Sequence, residues 1–271
     1  MIKNISQPLL HHHTFIKSQD CDWVVFVHGA GGSSRIWAKQ LEDFKAAYNV
    51  LLLDLRGHGE SQNMIKDLIE GPYTFESIAK DVIYLLEYLK IPKAHFVGIS
   101  LGTIIIRTIA ELRSDMVQSM ILGGAITRLK ISSRILIKMA ELTKQFVPYM
   151  WLYRLMAFII MPKKNHEKSR YIFIREAKKI AQKEFLRWFK LTNDVNPLLK
   201  FFKEKEIATP TLYIMGAEDH MFLKPVKEMA QKHHSAFLQI IDNCGHVCNV
   251  EAPNYFNNMA LSFLSEHKAT P

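Results

Sequence analysis

Cysteine is scarce in this sequence, with only Cys21, Cys244 and Cys248 among 271 residues. So small and odd a set does not build the disulfide framework of a small secreted domain. No secretory signal is read ahead of the first strand pattern, and the expected setting is a reducing cytoplasm. Long apolar runs are missing as well. The most hydrophobic stretch, Phe146 to Met161, is interrupted by Pro148 and Arg154 and falls short of the ~20 residues a spanning helix needs. Repeats and low-complexity tracts are absent too. With 48% hydrophobic and 23% charged residues, the chain reads as an ordinary globular protein, which sets aside disordered and fibrous classes.

Acidic charge is in short supply, 26 Asp and Glu against 35 Lys and Arg, for a formal net charge of +9. The deficit is local. Between Arg128 and Glu206 there are nineteen bases and seven acids, a net +12 that leaves −3 for the rest of the chain. No nucleic-acid reading motif accompanies this charge, so nucleic acid is not an expected partner. Two readings of the basic segment stand side by side. It is the solvated side of amphipathic helices, or a surface for peripheral contact with an anionic membrane or lipid. No protein partner can be named.

What is present is an alternation. Trp23–Val27, Val50–Asp54, the run ending Phe96-Val97-Gly98-Ile99, Gln118–Leu122, Thr211–Met215 and Phe237–Ile241 are short apolar runs with the look of buried strands. Helical spacing falls between them. Ile36, Trp37, Leu41 and Phe44 mark one helix, with Ser33 or Ser34 placed to cap it. Phe75, Ile78, Ala79, Val82, Ile83, Leu86 and Leu89 mark a second, preceded by Pro72, capped by Thr74 and ended by Pro92. Leu101 to Leu112 is a third, apolar enough to be buried. His11-His12-His13 belongs to an opening strand or loop. Strand and helix in turn, without hairpins, imply an α/β fold. Its sheet is mostly parallel, with helices on both faces and ligands at the C-terminal strand ends. From about Ile126 to Lys205 strand signals vanish, and helical segments rich in Met, Phe, Trp and Tyr alternate with Lys and Arg. The expected division is a core of residues 1–125 and 207–271 with a helical cap inserted at 126–206.

The chemistry centres on Gly98-Ile99-Ser100-Leu101-Gly102, where a strand runs into a helix through Gly-x-Ser-x-Gly. A nucleophilic serine needs so tight a turn that its oxygen stands clear of the backbone, and flanking glycines let strand and helix close up. His28-Gly29-Ala30-Gly31-Gly32 ends the first long strand. It lacks the Lys of a phosphate loop and the spacing of a dinucleotide fingerprint, and fits an oxyanion-hole loop better. Asp54 and His58 are read as polar residues that fix their loop. Glu218-Asp219 and His246 follow two later strands, so serine, acid and histidine arrive in the order of a triad on such a sheet. Cys244-Gly245-His246-Val247-Cys248 has the look of a metal motif, but no fourth ligand is identifiable and His246 already has a role. The two cysteines are read as loop packing.

These motifs, with Trp37, Asp54-Leu55-Arg56-Gly57-His58-Gly59-Glu60-Ser61 and Glu251-Ala252-Pro253, closely resemble the α/β-hydrolase family over nearly the whole chain outside the insert. The resemblance implies an α/β-hydrolase fold, with Ser100 as nucleophile, His246 as general base and then acid, and Asp219 as the residue orienting His246. Backbone N–H groups of Ala30 and Leu101 would form the oxyanion hole. Glu218 is the rival acid, but the Gly-x-x-Asp register favours Asp219. No cofactor or metal is implied.

A serine at position 100, rather than an aspartate, sets aside the dehalogenase and epoxide-hydrolase branches. The leading expectation is an esterase of the EC 3.1.1 type acting on a small-molecule carboxylic ester, lactone or thioester through an acyl-enzyme. A carbon–carbon bond hydrolase, or a lyase similar to the menaquinone-pathway member, is the alternative if Arg154 or Arg187 turns inward to hold an anionic substrate. A small-molecule-binding signalling protein on the same fold is the third.

Overall fold

Uninterrupted runs of Val, Leu, Ile and Phe have no polar face to show to water, so they form strands covered on both sides. The computed structural model describes residues 9–65, 73–128, 148–180 and 182–268. Among them seven strands make one sheet: β1 (His12–Phe15), β2 (Trp23–Val27), β3 (Asn49–Leu53), β4 (Ala94–Ile99), β5 (Val117–Gly123), β6 (Thr211–Gly216) and β7 (Ala236–Ile241). Their order is β1-β3-β2-β4-β5-β6-β7. β1 pairs antiparallel with β3, and the other neighbours are parallel. β3, β4 and β6 are buried throughout. The edge strand β7 instead alternates half-buried and exposed positions.

The order places β4 at the centre of the sheet. The chain goes outward from β2 to β3 and then crosses back to β4, so the winding direction reverses between β2 and β4. A crevice forms at the carboxyl ends of strands where such a reversal occurs.

The helices are α1 (Leu41–Lys45), α2 (Phe75–Tyr88), α3 (Leu101–Leu112), α4 (Tyr149–Ile160), α5 (Glu167–Ala177), α6 (Gln182–Glu204), α7 (Leu223–Ala230), α8 (Cys248–Glu251) and α9 (Pro253–Glu266). α2 starts as expected, with Thr74 Oγ1 accepting from Ser77 N and Ser77 Oγ accepting from Thr74 N, both at 3.0 Å. It ends at Tyr88, where Lys90 takes φ 57° and turns the chain before Pro92. The single helix expected over Ile36 to Phe44 is divided into a 3-10 turn, Ser34–Trp37, and the short α1. Ser33 makes no capping hydrogen bond there. The Ser34 amide donates instead to Asp54 Oδ1 at 2.6 Å, so a tertiary contact replaces the cap.

One core lies under α2, α3 and α7, and the other under α1 and α9. Helices between β5 and β6 extend both. Trp188, Leu191, Val195 and Leu199 of α6 join the first core, and Ala157 of α4 joins the second. Residues 129–147 of the insert, with Lys130, Arg134, Lys138 and Lys144, lie outside the described residues. Among the described residues no helix is long and apolar enough to cross a membrane.

Candidate active site

Ser100 joins β4 to α3 at φ 54° and ψ −122°, a backbone position that a side-chain-bearing residue occupies only under strain. Two glycines make the turn possible. A Cβ on Gly102 would meet the carbonyl oxygens of Val27 and His28, and one on Gly98 would lie 2.5 Å from Ile106 Cδ1. α3 therefore packs directly on β2 and β4, with Ser100 projecting at its start. Leu101 is the first residue of α3, and first-turn amides have no acceptor within their own helix.

Ser100 Oγ lies 2.9 Å from His246 Nε2, and His246 Nδ1 lies 2.8 Å from Asp219 Oδ2. Asp219 is 1% exposed. Its burial alone would raise its pKa. The His246 charge, the His246 hydrogen bond and the amides of Phe222 and Met221 together outweigh that, leaving it below the usual carboxylate range. An ionised carboxylate only accepts, so Nδ1 of His246 carries the proton. Nε2 is then free to receive the proton of Ser100.

Ala30 sits on the loop after β2. A Cβ on Gly29 would lie 3.1 Å from Ser100 Cβ and 3.7 Å from Leu101 N, so this loop lies against both the serine and the start of α3. His28 Nδ1–H donates to Gly29 O at 2.7 Å, while its Nε2 accepts Leu55 N–H at 3.0 Å. His58 Nδ1–H donates to Arg56 O at 3.1 Å, and its Nε2 accepts Gly31 N–H at 2.9 Å. Each ring must present one bare nitrogen and is therefore neutral. Burial drives both pKa values down, that of His58 to about 3. Asp54 accepts the amides of Ser34 and Glu60, at 2.6 and 2.9 Å. Asp54 and His58 thus fix the loops around the site.

Glu218 lies away from His246. Its carboxylate takes Lys163 Nζ at 2.7 Å, Asn165 Nδ2 at 2.8 Å and His166 Nε2 at 2.8 Å. Hydrogen bonds from Asn165 and Lys163 hold its pKa down to about 2. The cysteines flanking His246 are buried and bonded to backbone, with Cys248 Sγ 3.4 Å from Ile214 O. Burial pushes the Cys244 thiol up to about 12 and the Cys248 thiol up as well.

Above Ser100 is a cavity of ≈ 210 Å³. Its walls are apolar, with Tyr153, Met156 and Ile160 from α4, Phe173 from α5, Trp188 from α6 and Phe222 from the core. Among the described residues no Lys or Arg lines it. Arg154 is exposed, and Arg187 is bonded to Glu184 at 2.7 Å. Glu176, the one lining carboxylate among the described residues, is held by Lys179 and Arg175. Sequence reading did not find Tyr153 or Trp188, which line the cavity from the insert, or His166, which meets Glu218. Their helical spacing was visible, but not the loops they would meet.

The family model of the alpha/beta hydrolase fold matches residues 22–253. The chain is 26% identical to the human protein ABHD8 over 260 residues, 93% of this chain, and spans 57% of the length of that protein. It is 26% identical over 274 residues to 3-oxoadipate enol-lactonase 2 of Acinetobacter baylyi, covering 92% of this chain and 90% of the relative. The enol-lactonase structure from Burkholderia xenovorans LB400 superposes with a TM-score of 0.76 at 21% identity, covering 94% of this chain and 96% of that one.

Proposed function

The chain belongs to the alpha/beta hydrolase fold family, and we propose that within it the protein is a serine hydrolase. It cleaves a carboxylic ester, lactone or thioester of an uncharged small molecule through an acyl-enzyme on Ser100. The observation that carries this reading is the hydrogen-bonded line from Ser100 Oγ through His246 to buried Asp219, opening on an apolar cavity. An enol-lactonase relative supports it, because a lactone is a cyclic ester.

In this reading His246 Nε2 takes the Ser100 proton as Oγ bonds to the substrate carbonyl carbon. The carbonyl oxygen becomes an oxyanion facing the amides of Ala30 and Leu101, where one donor is worth about 3 kcal/mol. His246 then gives its proton to the leaving alcohol or thiol as the tetrahedral carbon collapses to the acyl-enzyme. Water, deprotonated by the same nitrogen, attacks that carbonyl, and Ser100 leaves with its proton restored. Asp219 stays ionised throughout and stabilises the imidazolium.

The helices between β5 and β6 act as a cap that sets which substrate enters. The cavity walls favour a neutral substrate over the anionic one that a carbon–carbon hydrolase or lyase reading requires. Fluorophosphonate labelling followed by mass mapping tests the proposal. Modification at Ser100, lost in Ser100→Ala along with hydrolysis of p-nitrophenyl butyrate, is the expected result. A folded protein that resists labelling at Ser100 overturns it.

A further inference from the structure

The loop that carries Ala30 has one backbone hydrogen bond of its own, Gly32 N–H to Gly29 O at 3.1 Å. Gly29, Gly31 and Gly32 surround that residue, and peptides between glycines reorient at low steric penalty. Beyond that bond, the direction of the Ala30 amide is set by what holds the peptides on either side of it. Two core side chains contribute, His28 on Gly29 O and His58 on Gly31 N–H. The third contact comes from the insert, where Tyr153 of α4 donates its hydroxyl to Ala30 O at 3.0 Å.

A second insert residue stands behind His58. Trp188 of α6 meets the His58 ring edge-on at 4.6 Å between centroids. Its Nε1–H donates at 3.1 Å to Arg56 O, the same carbonyl that takes His58 Nδ1–H. The peptide between Ala30 and Gly31 is thus gripped at its oxygen by α4 and at its nitrogen by a histidine braced on α6, and it adjoins, through the Ala30 Cα, the peptide that carries the Ala30 N–H.

We propose that Tyr153, with Trp188 behind His58, positions the oxyanion loop, so that the Ala30 amide points at the reacting carbonyl only while the helical insert is docked. The inference rests on the serine-hydrolase reading above, in which Ala30 N–H is an oxyanion donor. The fit at Gly31 is specific to this contact. Gly31 has φ +72°, and a Cβ there would overlap the Tyr153 hydroxyl. Burial raises the Tyr153 pKa, so the phenol keeps the proton it donates. With that hydroxyl gone, Ala30 O is released and the loop samples orientations that turn the amide away from Ser100. The loss falls on the transition state, because the oxyanion exists only there.

Tyr153→Phe keeps the ring and removes the hydroxyl. The expected result is a kcat lowered by about ten-fold or more, with KM within about two-fold. A trifluoromethyl ketone supplies the independent readout. Ser100 Oγ adds to its carbonyl carbon, the serine proton passes to His246, and the ketone oxygen becomes the oxyanion. Its inhibition constant should rise by the factor by which kcat/KM falls, while affinity for the carboxylate product stays constant. Trp188→Phe should move the same two quantities less, and it carries the test if Tyr153→Phe lowers the Tm by more than a few degrees.

Unchanged kcat and ketone affinity overturn the proposal. So does a raised KM with kcat kept, which makes Tyr153 a cavity wall and no more. A kcat loss that the ketone does not mirror overturns it as well. If the parent protein neither binds the ketone nor is labelled at Ser100 by a fluorophosphonate, the serine-hydrolase reading fails first and takes this inference with it.

Discussion

Glu218 and Asp219 are consecutive residues whose carboxylates serve different parts of the molecule. Asp219 faces inward to His246 Nδ1 at 2.8 Å, and Glu218 reaches the insert at Lys163, Asn165 and His166. Both follow β6, so a single strand end orients His246 and tethers the helices above it. The neighbouring loop shares in the arrangement, since Glu251 Oε2 accepts Gly245 N–H at 2.6 Å beside His246.

This division predicts unequal consequences for two conservative changes. Asp219→Asn should lower kcat by about 10³- to 10⁴-fold, because an amide no longer fixes the imidazole tautomer. Glu218→Gln should leave kcat within a few-fold. Steady-state kinetics on p-nitrophenyl butyrate decide it, and the reverse ranking would make Glu218 the working acid.

The buried imidazoles make stability depend on pH. His58 is neutral in the fold, with its pKa pushed down to about 3, whereas unfolded histidine titrates near pH 6.5. The unfolded chain therefore binds more protons between those limits. The stability from His58 is complete above about pH 6.5 and declines as the pH falls. At pH 5 the loss from this residue alone is about 2 kcal/mol, and His28 adds to it in the same direction. Urea melts at pH 7.5 and pH 5 measure the effect. A slope that is unaltered in His58→Gln would assign it to other groups.

The glycines of the turn around Ser100 should differ in tolerance. At Gly98 an added methyl meets the end of the Ile106 side chain, at 2.5 Å, with the Gly102 backbone no nearer than 3.2 Å. Gly98→Ala is expected to destabilise by about 1 kcal/mol, the low end for overpacking. At Gly102 the methyl meets backbone carbonyls of Val27 and His28, which cannot rotate aside. Gly102→Ala should therefore lose about 3 kcal/mol or more and show a distinctly lower Tm. Equal Tm values for the two variants would contradict the packing argument.

Substrate charge offers another check. With no Lys or Arg among the described lining residues, a carboxylate on the acyl chain finds no counter-charge when it leaves water. The p-nitrophenyl monoester of succinic acid should be turned over at least about 100-fold less efficiently than the butyrate, in kcat/KM, for a penalty of roughly 3 kcal/mol. Comparable efficiencies would point to a base at the cavity and revive the anionic-substrate reading.

Much of this arrangement was legible in the residues. Strands such as Trp23–Val27 announced themselves because a strand covered on both faces has only one kind of sequence to offer. Gly98-x-Ser100-x-Gly102 was legible because the turn tolerates so little else. Thr74 was readable as a cap because its partners are three residues away. The segment from Ser33 to Phe44 was not, since Asp54, twenty residues on, decides its shape through the Ser34 amide. Tyr153 and Trp188 were hidden for the same reason. Helical spacing shows that a side chain faces something apolar, but not that its hydroxyl or indole N–H will meet a loop more than a hundred residues earlier.

β5 ends at Gly123 and β6 begins at Thr211, and the two strands lie side by side in the sheet, with Gly123 opposite Ile214. The two strands are parallel neighbours, so the stretch between them crosses from the carboxyl edge of the sheet back to its amino edge, and it can grow, shrink or be exchanged with no strand changing its neighbour. Ser100, Asp219 and His246 lie outside that stretch, while Tyr153, Met156, Ile160, Phe173 and Trp188 of the cavity wall lie within it. In the proposed reading, one contiguous block of the chain carries the cavity wall, and replacing it would alter the substrate without touching the triad, provided the replacement still brings a hydroxyl to Ala30.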